Sequence, residues 1–245
     1  MKPTVTAIMQ ARMGSSRLPG KILLEAGGQT FLEHSFSRLL LSKLTDQAVI
    51  ATTVEDQDRQ VADFCQRKNW NWNRGSEHDV LDRYYQTALA YPADIIVRVT
   101  SDCPLLDPAV IDKVIQCLID DFPNTHYASN VLPTRTFPRG LDVEAFTFAA
   151  LKEAWESAGE GPEREHVTTY LHSNPGIFKT ASVTADQTDD CSAHRWTLDT
   201  PEDQTLLTHI LDLAPQPTSW HSVLNLVQEH PVWNQVNRHI EQKKI

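Results

Sequence analysis

The sequence predicts an α/β fold: a mainly parallel central sheet with helices on both faces. Two observations carry that expectation. Short apolar runs alternate along most of the chain with segments of 3.6-residue period. The strongest runs also open directly into polar loops, as strands of βα units do at their carboxyl ends. A chain of 245 residues, 40% hydrophobic and 22% charged, is long enough for one sizeable core and has the balance of an ordinary globular protein.

The first strand is expected over residues 5–9, followed by a polar loop over 10–21 and a helix over 31–41. A second strand at 48–52 leads into an amphipathic helix carrying Val61, Phe64 and Cys65, then a short strand at 71–74. Ser76 to Asp79 has the spacing of a capping box, and the helix it opens places Val80, Leu81, Tyr84, Tyr85, Ala88 and Leu89 on one side. The best strand, 95–99, runs into Thr100-Ser101-Asp102-Cys103-Pro104, and Asp107 with Pro108 marks the next helix start. Beyond Asp121 the pattern loosens. Strands are expected at 126–129, 141–146, 177–183 and 195–198, with helices at 148–157, after Pro162 and from Pro201. The stretch 184–190 reads as a polar loop, and the tail from Ser219 as one or two helices packed on the surface.

A net charge of −10 argues against general binding to nucleic acid or an anionic membrane. No run approaches the roughly 18 apolar residues of a membrane span, and the first residues lack the apolar stretch and cleavage site of a signal peptide, so a cytoplasmic location is expected. Cys65, Cys103, Cys117 and Cys191 are scattered, without the spacing of a disulfide framework or a structural zinc site. His126, His172 and His194 form no metal-binding spacing either, and the six tryptophans read as core or interface anchors.

Against this acidic background the first 24 residues carry Lys2, Arg12, Arg17 and Lys21 and no carboxylate. Gly14 and Gly20 bracket Ser15, Ser16, Arg17, Leu18 and Pro19 just after the first strand, where backbone N–H groups and loop cations can cradle a polyphosphate. The spacing is not that of a P-loop, because Ile22 follows Lys21 where a hydroxyl is required, and the dinucleotide G-x-G-x-x-G is absent. Asp102, just past the strongest strand, suits magnesium, which takes oxygen ligands from one or two carboxylates and substrate phosphates. Asp199 is the candidate second ligand, since Thr200 and Asp203 are occupied in capping the helix after it.

Residues 10–21, QARMGSSRLPGK, resemble the signature loop of the cytidylyltransferases that make CMP-activated sugar acids, most closely their spore-coat polysaccharide branch. Arg74-Gly75-Ser76 with Asp79 to Tyr84, Arg98 to Leu105, Phe137 to Glu144, Glu163 to Val167 and Leu198 to Asp203 continue the resemblance over roughly residues 4–210. It implies a Rossmann-like nucleotidyltransferase fold, CTP as donor, Mg2+, release of pyrophosphate and a homodimer. By position, Arg12 and Lys21 would hold the triphosphate, Asp102 and Asp199 the metal, and Ala11, Ser16, Gly75, Ser76 and Arg83 would surround the cytidine. The chain then reads as one domain: a nucleotide-binding half over 1–121, an acceptor and dimer half over 122–218, and a helical tail over 219–245. Cys103 stands where the better-known sugar-acid synthetases often carry another residue, so their acceptor is not simply inherited.

For the acceptor, Asp142 and Glu144 are expected on one face of a strand, positioned to bind sugar hydroxyls, with Arg139 pairing an acidic group. Glu165 or His166 would orient the attacking hydroxyl or take its proton. The leading expectation is transfer of CMP from CTP to a sugar acid or related hydroxy acid. A glycosyltransferase using a preformed nucleotide-sugar and a non-catalytic nucleotide-binding subunit are the alternatives. The three loop cations favour a triphosphate over a diphosphate sugar.

Overall fold

The computed structural model describes residues 2–185, 191–214 and 218–241. In chain order the elements are β1 (Val5–Gln10), β2 (Glu25–Ala26), β3 (Gln29–Thr30), α1 (Phe31–Leu39), β4 (Gln47–Thr53), α2 (Arg59–Lys68), β5 (Asn71–Gly75), α3 (Val80–Ala90), β6 (Ile95–Thr100) and α4 (Pro108–Ile119). The second half adds β7 (Tyr127–Ser129), β8 (Glu144–Thr147), α5 (Phe148–Ser157), α6 (Pro162–Glu165), α7 (Thr169–Ser173), β9 (Thr180–Ser182), α8 (Pro201–Leu213), α9 (Trp220–Glu229) and α10 (Trp233–Val236).

Seven strands form one sheet in the order β5-β4-β1-β6-β8-β7-β9. β5, β4, β1 and β6 are parallel, and β8 enters antiparallel beside β6 with Arg98 opposite Glu144. From β1 the chain moves outward to β4 and β5, then returns to place β6 on the other side of β1. The strand order therefore reverses at β1 and β6, and in an open α/β sheet the crevice outside the carboxyl ends at such a point is where ligands bind.

β1 is buried on both faces, as a central parallel strand must be. Val5, Ala7 and Met9 pack with Phe31, Phe36, Val61, Phe64 and Ile111 on one face of the sheet. Ile8 packs with Tyr84, Ile96, Phe146 and Leu151 on the other. The helix starts read from the sequence carry their caps. Asp107 accepts from Ala109 and Val110 N with Pro108 in the first turn, and Thr200 and Asp203 form a reciprocal box at α8. At α3 the cap is Asp79, and Ser76 instead accepts from Asp79 N at 3.0 Å.

Several expected elements are corrected. The strand over 141–146 begins only at Glu144, because the Asn130 side chain takes Val143 N at 2.8 Å and donates to Leu141 O at 2.7 Å in place of a ladder. The strand over 177–183 shortens to Thr180–Ser182, since Ile177 N and Phe178 N close a turn on Asn174 O. Residues 195–198 make one bridge, Arg195 to Arg139, and then cross the sheet end, with Leu198 N donating to Asp102 O at 2.8 Å. The β2–β3 hairpin around Gly27-Gly28 was not anticipated. Most of the loop expected at 184–190 lies outside the described residues. The tail is not simply a surface addition: Trp220, Val223 and Val227 join the main core.

Candidate active site

The loop after β1 is pinned at both ends. Buried Asp58 accepts Met13 N at 2.5 Å, and Gly20 N donates back to Met13 O at 3.0 Å. Gly20 has φ +70°, a left-handed conformation that glycine adopts without steric cost, and it turns the chain into a single 3-10 turn, Lys21–Leu23. That turn directs Lys21 inward.

Lys21 Nζ donates to Asp102 Oδ2 at 2.9 Å, Asp199 Oδ1 at 2.8 Å and Leu198 O at 2.5 Å. The two carboxylate oxygens thus face one point from either side, although they are contributed by segments almost a hundred residues apart. Burial disfavours the ammonium, but the charges of Asp102 and Asp199 outweigh it and raise the Lys21 pKa. Burial pushes the Asp199 carboxyl up, and Lys21, Arg17 and Arg195 more than reverse that, leaving it lowered. Arg17 reaches Asp199 Oδ2 at 3.1 Å and Arg195 Nη2 reaches the same oxygen at 2.9 Å.

A cleft of about 530 Å³ surrounds this corner. Of the residues expected at the site, Ala11, Arg12, Gly14, Ser15, Ser16, Arg17, Lys21, Arg83, Asp102, Glu165, His166 and Asp199 line it. Gln10, Glu77, His78, Arg98 and Thr100 also line it and were missed. Arg98 had a signal, since it is a charged residue inside the best apolar strand. Arg12 is more exposed and stands 3.7 Å from Glu77.

Gly75 and Ser76 both contact Arg83. A Cβ at Gly75 would stand 2.9 Å from Arg83 Cγ, so only glycine lets β5 approach α3 this closely, and Ser76 O accepts from Arg83 Nη1. Neither residue lines the cleft. Three acceptor candidates are placed elsewhere as well. Arg139 lines a separate hollow with His194 and Asn237. Asp142 precedes the strand and is held by both Nη atoms of Arg135. Glu144 is buried and does not line the cleft; its carboxylate binds Arg98 Nη1 and accepts from Tyr127 Oη and Thr168 Oγ1, both at 2.6 Å. Instead of facing the cleft, it holds Arg98, which does. Asp142 and Glu144 consequently do not share an exposed strand face, because the strand begins after Asp142.

Asp102 and Asp199 are the residues that would hold a divalent cation, at the point the Lys21 ammonium takes between them. Two carboxylates already converge on one positive group, and no cluster of three acidic, His or Cys ligands exists among the described residues. Phosphate oxygens and water would complete the shell, as magnesium prefers. The Cys103 thiol is buried, and burial and the charge of Asp102 push it well above its ordinary value, which disfavours the thiolate. Among the described residues no helix is long and apolar enough to cross a membrane.

Comparison with known proteins gives the family and the fold. The chain is similar to the spore coat polysaccharide biosynthesis protein SpsF of Bacillus subtilis (strain 168), 33% identical over 91% of this chain and 94% of that protein. A solved cytidylyltransferase from Leptospira borgpetersenii serovar Hardjo-bovis (strain JB197) superposes with a TM-score of 0.90 at 33% identity, covering 98% of this chain and 99% of that one. A CMP:2-keto-3-deoxy-manno-octonic acid synthetase solved with CTP shares the fold at a TM-score of 0.64 and 20% identity, over 85% of this chain and 98% of that one. The fold is that of the nucleotidyltransferases, as the resemblance implied. The profile of the cytidylyltransferase family matches residues 6–244, and the chain belongs to that family of nucleotidyltransferase enzymes.

Proposed function

We propose that this enzyme transfers CMP from CTP to a hydroxyl of a sugar acid or related hydroxy acid, releasing pyrophosphate, in the synthesis of a surface polysaccharide or glycan. The observation that carries the proposal is the contact of Lys21 with both Asp102 and Asp199 at the mouth of the loop after β1. It brings a cation for phosphates and two carboxylates for a metal to one corner of one cleft.

In the reaction the acceptor oxygen attacks the α-phosphorus of CTP in line, and the bond to the β-phosphate oxygen breaks as the new bond forms. Arg12, Arg17 and Lys21 stabilise the charge that grows on the leaving pyrophosphate, more than they stabilise the ground state. Asp102 and Asp199 would hold Mg2+, which supplies further charge stabilisation at the phosphate oxygens when bound. Arg83, held by Ser76 and by the missing side chain at Gly75, borders the nucleotide. Glu165 and His166, from α6 and the residue after it, orient the acceptor hydroxyl or receive its proton. Only Ala11, Ile22 and Val80 bring substantial apolar side chains to a lining otherwise made of polar and charged residues and Gly14, which suits a hydrophilic acceptor.

The test is pyrophosphate release with each of the four nucleoside triphosphates, Mg2+, and sialic-type, octulosonic and smaller hydroxy acids. Release is expected with CTP and an acid acceptor; release with another nucleotide, or none with any acid, overturns the reading. We also read the enzyme as a cytoplasmic homodimer. Light scattering that returns the mass of one chain would overturn the dimer.

A further inference from the structure

Asp199 is held from behind by residues that never enter the cleft. Asp203, completely buried in the first turn of α8, accepts Asp199 N at 3.0 Å and Thr200 N at 3.1 Å. It also takes the bidentate fork of Arg195, Nε to Oδ1 at 2.8 Å and Nη2 to Oδ2 at 2.9 Å. Arg195 Nη2 then reaches on to Asp199 Oδ2 at 2.9 Å. One buried carboxylate thus fixes both the backbone and, through the arginine, the side chain of Asp199.

The last support of this arrangement comes from the tail. Asn237, buried beyond α10, donates from Nδ2 to Asp203 Oδ1 at 2.8 Å and to Arg195 O at 2.9 Å. An amide nitrogen has two hydrogens, and both are used here. The tail is seated by ring contacts that do not involve the site. Trp233 stacks on His209 of α8 and on His230, with centroids 5.4 and 4.2 Å apart.

Resting on the metal reading of Asp102 and Asp199, we propose that Asn237 is a positioning residue for the metal carboxylate, acting through Asp203 and Arg195, so that the C-terminal tail is part of the active site. Asp203 and Arg195 stand one step removed from the ligand and set its orientation, and loss of such partners commonly lowers metal affinity about 10- to 100-fold; Asn237 stands one step further out, so the lower end of that range is expected for it.

The probe is Mn2+, titrated into the full-length protein with saturating CTP and followed by its paramagnetic resonance signal. Binding of CTP in EDTA and the melting temperature are measured alongside. Asn237→Ala is expected to weaken Mn2+ binding about 10-fold, while CTP binding in EDTA stays at the wild-type level. Ser42→Ala is the stability control: it removes a buried hydroxyl bonded to Asp112 at 2.6 Å, away from the cleft, and is expected to leave Mn2+ binding unchanged. If Asp199→Asn loses Mn2+ and Asn237→Ala does not, the inference fails and the metal reading stands. An equal loss in Ser42→Ala also overturns it, because the effect then follows stability alone. If Asp199→Asn binds Mn2+ as well as wild type, both readings fall.

Discussion

Glu144 and Asp199 are both largely buried carboxylates answered by an arginine, but their surroundings have opposite consequences. Glu144 lies under the sheet end with every partner supplied by the protein: Arg98, Tyr127 and Thr168. Asp199 lines the cleft, and so do its partners Lys21 and Arg17. Burial works against ionisation at both, and neighbouring cations more than reverse it. A buried acid with a closed shell is architecture. One that itself lines an open cleft is a candidate for chemistry.

That contrast can be broken by mutation. The largest effect is expected for Glu144→Ala, which takes the carboxylate from Arg98, half-buried at the cleft wall, and leaves the Tyr127 and Thr168 hydroxyls without their acceptor; it should destabilise the fold by about 3 kcal/mol in chemical denaturation. Asp102→Asn, at the partly exposed rim, should change stability far less. A loss at Asp102 as large as that at Glu144 would erase the distinction.

Next in size is Lys21→Ala, which should slow pyrophosphate release by about 10²–10³-fold, in the range for removing one electrostatic contact to developing charge. Its denaturation midpoint should move less than that of Glu144→Ala, since Asp199 keeps Arg17 and Arg195. Retention of near-normal release would remove Lys21 from the reaction.

The pH dependence sharpens the comparison further. The Glu144 pKa is lowered in the fold from its ordinary 4.5. Its ionised form therefore stabilises the protein above that value, and the contribution is lost as pH falls through the lower folded pKa, with a slope of up to about 1.4 kcal/mol per pH unit. Glu144→Gln should flatten this acid limb in urea titrations between neutral pH and pH ~3; an unchanged limb would mean that other carboxylates carry it. The smallest effect is expected at Asp142→Asn, whose partly exposed pairing with Arg135 should be worth at most about 1 kcal/mol.

The site was legible where one short segment announced its own chemistry. Arg12, Arg17 and Lys21 stood out because no acid accompanies them in an acidic chain, and Asp102 and Asp199 because each follows an apolar run without a capping duty. The parallel half of the sheet was legible for a related reason: strands buried on both faces are continuous apolar runs. Glu144 was misread because alternation along an expected strand says which residues share a face, not whether that face is covered. Here Tyr127 and Thr168, from β7 and the start of α7, cover it. Arg195, Asp203 and Asn237 offered less. Asp203 was accounted for as a helix cap, and its further bonds depend on a side chain 34 residues away.

Local periodicity, capping residues and charge bias, each expressed within a few consecutive residues, were enough for the sequence by itself to determine the α/β class and to single out the cationic loop and the two candidate metal carboxylates. Only the tertiary structure decided that Lys21 meets both acids, that Glu144 is enclosed and that the tail braces Asp199. Those outcomes depend on distances between segments far apart in the chain, which packing sets and local sequence pattern does not record.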